Sequence, residues 1–197
     1  MKRGWMPSWR SGSMALAAFL ACNALPSSPA GQSSVAVHRA NELTLAGLRP
    51  GKDTVARAIS KYKSPSVGAQ GDTSFSWPDF CRKRLLSIEA GPEEKIRTIR
   101  LQFVDWLADC VKVSPSKKWK TGRGLAIQDP SARVIQLYGQ PDSRNASTRG
   151  LQAIELLHYS FDWAGPDVPQ IMEVLCTQDK DGEPGRVLEI TLRVPTL

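Results

Sequence analysis

Three polar side chains on one short stretch have the residue types of a serine hydrolase. His158, Ser160 and Asp162 alternate with apolar residues. This alternation predicts a β-strand with one apolar face, formed by Leu157, Tyr159, Phe161 and Trp163. Residues two apart on a strand are separated by roughly 6.6 Å, whereas the members of a catalytic triad lie about 2.6 to 3.2 Å apart. We therefore expect no triad here, and we interpret the three polar residues as outward-facing candidates for an interface.

The cysteines allow one disulfide and one free thiol. Cys22 lies in the N-terminal segment, and Cys81, Cys110 and Cys176 follow it, which is an odd number for an oxidising compartment. A turn predicted near residue 91 brings residue 81 opposite the region just beyond residue 104, so we favour a Cys81–Cys110 disulfide. The sequence alone does not fix this connectivity. A free cysteine acting with His158 would give a hydrolase or a redox protein, but no motif surrounds a candidate cysteine.

The remaining residue types predict no metal or cofactor site. The second histidine, His38, lies in the N-terminal leader, and neither histidine has a partner at metal-ligand spacing. Gly122 and Gly124 follow no strand pattern, so they do not predict a phosphate-binding loop. We expect no catalytic residue, no metal, no cofactor and no enzymatic activity.

The N-terminal thirty residues have the pattern of a secretory signal peptide. Three basic residues precede an apolar run from Met14 to Ala21 that is too short to cross a bilayer as a helix. Ser28 and Ala30 supply the small side chains that a signal peptidase requires. We expect cleavage after Ala30 and a periplasmic or secreted protein. A lipid anchor at Cys22, preceded by Phe-Leu-Ala, is a weaker alternative.

Charge and composition favour an ordinary folded domain. Removing residues 1–30 takes three basic residues and no acidic one, which lowers the formal charge from +7 to +4. The content of 41 % hydrophobic and 23 % charged residues is typical of a globular protein and does not indicate disorder for the body of the chain. The remaining basic residues are densest between 106 and 120, where we predict a solvated linker and no nucleic-acid site; a phosphate or anionic-lipid contact is the alternative. Trp119, at the end of this segment, is a candidate interface residue.

A repeated segment dominates the architecture. The residues 53–65 and 129–141 share six identities in thirteen positions at an offset of 76, namely Asp53/Asp129, Ala56/Ala132, Arg57/Arg133, Ile59/Ile135, Tyr62/Tyr138 and Pro65/Pro141. Each segment predicts an amphipathic helix with the aspartate as N-cap, the tyrosine on the apolar face and a local Asp–Arg pair. The predicted strands FSW, RKRLLSIE and IRTIRLQF follow the first helix. Those around 156–163, QIMEVLCT and RVLEITLRV follow the second.

We therefore predict an α+β fold of two tandem repeats, each a short helix packed on a small antiparallel β-sheet. The expected divisions are a signal peptide at 1–30, a flexible leader at 31–41, a first repeat at 42–105, the linker at 106–120 and a second repeat at 121–197. In this scheme Asp53, Tyr62, Asp129 and Tyr138 are structural anchors.

This repeat pattern resembles the β-lactamase inhibitor protein architecture and the small outer-membrane lipoproteins of the β-barrel assembly machinery. The matching features are Gly47 and Gly124, the two Asp-initiated helices, their tyrosines and the strands ending in tryptophan. The resemblance implies a protein-binding unit without catalytic activity. We predict an exported protein-binding module of unknown partner, in the bacterial cell envelope, with no membrane span. The alternative is an exported enzyme or redox protein that uses a free cysteine.

Overall fold

Seven antiparallel strands form one sheet in the computed structural model, with two short helices on one of its faces. The structure describes residues 41–68, 72–105, 119–161, 170–179, 182 and 184–195. All of them lie within one unit, Val37–Leu197. Among these residues, no helix is both long and apolar enough to cross a membrane.

The order of elements along the chain is helix, three strands, helix, four strands. The helices are α1 (Val55–Tyr62) and α2 (Ser131–Tyr138). The first strands are β1 (Ser74–Asp79), β2 (Arg84–Ala90) and β3 (Ile96–Phe103). The later strands are β4 (Ser143–Arg149), β5 (Gln152–Phe161), β6 (Gln170–Thr177) and β7 (Val187–Arg193). Their order across the sheet is β1-β2-β3-β7-β6-β5-β4.

The predicted fold class of two repeats, each with its own small sheet, is wrong. β3 pairs with β7 over five residues, from Thr98↔Arg193 to Gln102↔Glu189, which makes the sheet continuous. A separate sheet in each half would leave β3 and β7 as two internal edges with unpaired backbone groups. Pairing them satisfies those groups and buries the apolar residues of both strands in one core.

The helices cover a single apolar face of this sheet. In α1 the side chains of Val55, Ala58 and Tyr62 are buried, and in α2 those of Val134 and Tyr138 are buried. Tyr62 contacts Trp77 of β1 at 5.8 Å between ring centroids, and Tyr138 contacts Tyr159 of β5 at 5.9 Å. The expected structural roles of both helix tyrosines fit this burial. The predicted apolar face of β5 is confirmed for Leu157, Tyr159 and Phe161, which are at most 2 % exposed.

The predicted N-caps need correction. Thr54 is the N-cap of α1 and accepts a hydrogen bond from the Arg57 amide, whereas Pro130 precedes α2 without a side-chain cap. The carboxylate of Asp53 instead accepts from the Arg49 amide at 2.8 Å, and that of Asp129 accepts from the Ala126 amide at 3.0 Å. Each aspartate therefore closes the turn before its helix.

The local ion pairs expected beside these aspartates are present. Arg57 lies 3.2 Å from Asp53 and Arg133 lies 3.2 Å from Asp129, both at i,i+4 spacing. Each aspartate and its arginine compensate each other's charge, so an external ligand is not required to account for them.

A buried carboxylate joins the segment before α1 to the segment before α2. Glu42 is 2 % exposed. Its Oε1 accepts from the amides of Leu43, Thr44 and Gly122. Its Oε2 accepts from the Arg123 amide at 3.0 Å and from the Tyr138 hydroxyl at 2.8 Å. The many donors compensate the desolvation of the carboxylate, so Glu42 fixes two chain segments that are distant in sequence.

Candidate functional site

The face of the sheet opposite the helices is polar, and we call it the open face. Side chains directly opposite one another in paired strands share a face. One open-face row contains a residue from each strand, and these residues are Ser76, Ser87, Arg100, Thr191, Glu173, His158 and Ser143. The row crosses the whole sheet without an apolar residue, whereas the rows on the helix side are mainly apolar, with Arg144 and Glu155 as polar members near the β4 edge.

Glu189 of β7 organises one half of this open face. Its Oε2 accepts from Gln102 Nε2 at 2.7 Å, and its Oε1 lies 3.3 Å from Arg100 Nε. Thr191 Oγ1 donates to Glu189 Oε1 at 3.2 Å. These contacts cross the β3–β7 pair, so the network holds its side chains on the two strands that join the halves of the sheet.

Glu173 of β6 organises the other half. Its Oε1 accepts from an Arg193 guanidinium nitrogen at 3.2 Å and lies 3.5 Å from His158 Nδ1. The side chains of all three residues are 28 to 31 % exposed, so each presents one edge to solvent. Partial burial limits the rotamers of these groups, and a partner would lose little further entropy on binding them.

Apolar side chains flank the polar networks. Pro78 pairs with Leu85 near one end of the sheet, and Leu175 pairs with Leu156 toward the other. All four are partly exposed. Alternation of half-buried charges with partly exposed apolar groups on rigid strands is an arrangement suited to a protein surface, because it offers both burial and directional contacts.

The predicted interface residues have three different outcomes. The structure places His158 and Ser160 on the open face and brings His158 into the Glu173 network. Asp162 lies outside the described residues. Trp119 is only 1 % exposed and packs edge-on against Tyr62 at 6.0 Å, so its predicted role at an interface does not fit. Its ring fills the core beneath α1 because an indole buries more apolar area there than on a surface.

Sequence reasoning missed the members of the two networks other than His158. Glu173 in β6, and Glu189, Thr191 and Arg193 in β7, alternate with apolar residues, which is the signal that could have revealed them. Arg100 and Gln102 alternate in the same way in β3. The alternation does not predict that β3 pairs with β7, which is what brings the residues of these two strands together.

The cysteines offer little for nucleophilic chemistry. Cys176 is a free thiol, yet it is 1 % exposed. Burial raises the pKa of the Cys176 thiol to about 12, and the nearby Glu155 carboxylate acts in the same direction. The thiolate that a nucleophile requires is therefore disfavoured. Cys81 is disulfide-bonded. Cys110 lies outside the described residues, so the Cys81–Cys110 pairing stays a prediction.

Residues capable of holding a metal do not gather in the part of the chain that the structure describes. No group of three or more His, Cys, Asp or Glu side chains has the geometry of a metal site there. A surface cavity of about 560 Å³ beside the β4–β5 turn is lined by Arg149, Leu151, Asp179 and neighbouring residues, none of them His or Cys. Among the described residues, the open face therefore carries an extended set of partly exposed, mutually bonded polar groups.

Comparison with known proteins gives little to set beside this geometry. No protein-family model matches the chain, and no curated protein matches it. Among solved structures, a DUF4309 family protein (YjgB) from Bacillus subtilis is similar at a TM-score of 0.41 and 11 % identity, with 78 % of this chain and 88 % of that chain covered. A likeness at this level carries no argument about fold or function, and the resemblance of the sequence pattern to the β-lactamase inhibitor protein stays a prediction.

Proposed function

We propose that this chain is an exported, non-enzymatic protein-binding module and that its partner docks on the open face. The observation that carries the proposal is the pair of half-buried networks centred on Glu189 and Glu173. Export rests on the signal-peptide pattern of residues 1–30, which favours a periplasmic or secreted protein in the bacterial cell envelope.

The partner would contact both the charged and the apolar parts of the face. Arg193 and Arg100 each keep part of their guanidinium exposed while a glutamate holds the other part, so each can donate to a carboxylate or carbonyl of the partner. Leu156 and Leu175 would supply apolar area beside them. The position of both arginines on central strands favours a well-defined docking geometry.

The alternative hypothesis is an exported enzyme or redox protein that uses a free cysteine. The one free cysteine among the described residues is Cys176, whose burial and raised pKa oppose attack on a substrate. Among the described residues, no observation favours a cysteine-dependent enzyme over a binding module.

Site-specific photo-crosslinking tests the proposal. A photoreactive amino acid at Ser160, which is exposed on the open face, is expected to form an adduct with one protein in source cells. The same amino acid at Ala132, which is exposed on α2, should form none. Equal labelling from both positions, or none from Ser160, would count against docking on the open face.

The purified partner then permits a quantitative test. Arg193→Glu should weaken its affinity about tenfold or more, because the reversed charge would face Glu173 and the partner together. Arg133→Glu is the matched control, since Arg133 forms a 3.2 Å ion pair on the helix side and is 45 % exposed. Equal affinities of the two variants would contradict the proposed site.

A further inference from the structure

The two edge strands of the sheet, β1 and β4, differ in whether their outer backbone groups are hydrogen-bonded. The edge at β1 is covered by residues 66 and 67, because the Ser66 amide donates to the Ser76 carbonyl at 2.9 Å and the Ser76 amide donates to the Val67 carbonyl at 3.0 Å. Pro78 further limits pairing at this edge. Hence β1 is closed to another strand along part of its length.

The edge at β4 lacks these devices. β4 is seven residues long, contains no proline or glycine, and pairs with β5 in an unbroken register. Every one of its residues is exposed, and within the described chain no strand pairs with its outer edge. An open strand of this kind is a template for pairing with another chain.

We propose that β4 pairs antiparallel with β4 of a second copy of this chain, about a two-fold axis through Ala146. Such an interface is isologous, so one surface serves both copies. Each seven-stranded sheet would continue into the other across the axis. The inference concerns the sheet edge and does not rest on the proposed open-face function.

The sequence of β4 is self-complementary in this register. With Ala146 on the axis, Ser143 lies opposite Arg149, Arg144 opposite Thr148 and Asn145 opposite Ser147. All seven residues are paired, and no two like charges lie directly opposite each other. The smallest side chain of the strand, alanine, occupies the position that must meet its own copy.

The geometry of the axis also preserves the layers. A residue that pairs with itself requires a two-fold axis perpendicular to the sheet, so both copies keep their helices on the same face. The helix layers would lie side by side, and the two open faces would form one surface. Turning the second copy over while the two β4 edges stay together would make the strands parallel, so antiparallel pairing itself fixes the side-by-side arrangement of the helix layers.

Arg144 does not block this approach. Its guanidinium donates to Gln140 at 2.7 Å and lies 3.8 Å from Glu155 of β5. Both contacts are within its own copy, so the side chain turns back over its own sheet.

A charge swap on the axis tests the proposal. In sedimentation velocity the mature chain should change from monomer to dimer with rising concentration, with a dissociation constant in the micromolar to millimolar range expected for a small polar interface, about 10 to 1000 µM. Ala146→Glu and Ala146→Lys each place like charges opposite themselves and should raise the dissociation constant about tenfold or more. An equimolar mixture of the two variants should restore dimers.

The control is Ala132→Glu on α2, an exposed position away from the edge. It should dimerise like the unaltered chain. The proposal is overturned if the unaltered chain stays monomeric to about 1 mM, if Ala146→Glu dimerises normally, or if the mixture remains monomeric while circular dichroism shows both variants folded.

Discussion

Lys63 occupies a backbone conformation that costs folding free energy, and replacing it tests how α1 ends. It follows the last residue of α1 with φ 73° and ψ −167°. Gly139 follows α2 with nearly the same angles, φ 76° and ψ −165°. This region is essentially restricted to glycine, and a side chain there costs about 1 to 3 kcal/mol.

Lys63→Gly should therefore stabilise the protein. Relief of about 1 to 3 kcal/mol of strain is opposed by about 0.5 to 1 kcal/mol of extra backbone entropy in the unfolded chain. The net gain is about 1 kcal/mol, which corresponds to a rise in Tm of about 2 to 4 °C for a chain of this size. The Lys63 carbonyl still accepts from Trp77 Nε1 at 3.0 Å, so the contact is kept.

The matched change at the other helix is Gly139→Ala. A Cβ at Gly139 would meet no atom within 4 Å, so the loss would be purely conformational. We expect a loss of about 1 to 2 kcal/mol, because the reduced entropy of the unfolded chain offsets part of the strain. Both variants are compared with the unaltered chain by urea unfolding. A destabilised Lys63→Gly, or an unchanged Gly139→Ala, would refute the assignment of strain to these two positions.

Three further outcomes are expected. Glu42→Ala should lower the free energy of unfolding by about 3 kcal/mol or more, because it removes the carboxylate acceptor of four backbone amides. Glu89→Ala, at a half-exposed 3.8 Å ion pair, should cost under about 0.5 kcal/mol. Similar urea midpoints for the two variants would contradict the role of Glu42. Gln170→Met should raise the free energy of unfolding by about 1 kcal/mol, because the side-chain amide is fully buried and neither of its polar atoms has a hydrogen-bond partner among the described residues. A fall in Tm would show that the amide does form hydrogen bonds. Cys176 should be alkylated by iodoacetamide only after unfolding, and rapid labelling of the native thiol would refute the burial argument. Because the pKa of Cys176 is raised from 9.0 to about 12 in the folded state, its contribution to stability is present below pH 9 and declines as the pH rises toward 12. Cys176→Ala should lack this decline between about pH 9 and 10.

Local structure was predictable where a strong periodicity met a buried surface. The two helices, the apolar face of β5 and the Asp–Arg pairs follow from spacings of three or four residues or of two. The placement of the caps was less accurate, because the carboxylates of Asp53 and Asp129 close the preceding turns. The burial of Trp119 depends on contacts with distant residues that no local pattern contains.

β4 was missed altogether. Its sequence, SRNASTR, has no apolar alternation, since both of its faces are exposed at the edge of the sheet. It forms a strand because β5 offers a row of backbone hydrogen-bonding groups and the two-residue turn at Gly150 and Leu151 sets the register. Edge strands of this kind depend on their neighbour more than on their own side chains.

The pairing of β3 with β7, which joins the two halves of the sheet, also could not be predicted from the sequence. Ile99 and Leu101 align with Ile190 and Leu192 at an offset of 91, which indicates equivalent strands. In the structure the same residues pair crosswise, Ile99 with Leu192 and Leu101 with Ile190. The Glu189 network exists only because of this pairing, whereas the Glu173 network joins β5, β6 and β7. The candidate site could therefore be foreseen at His158 and Ser160 but not at Glu189 or Arg100.

The most direct test of open-face binding is the affinity of the crosslinked partner for Arg193→Glu and Arg133→Glu, measured by isothermal titration calorimetry on the mature chain. Docking on the open face predicts that Arg193→Glu weakens binding about tenfold or more and that Arg133→Glu leaves it unchanged. Unchanged binding by Arg193→Glu, or a loss confined to Arg133→Glu, would contradict it.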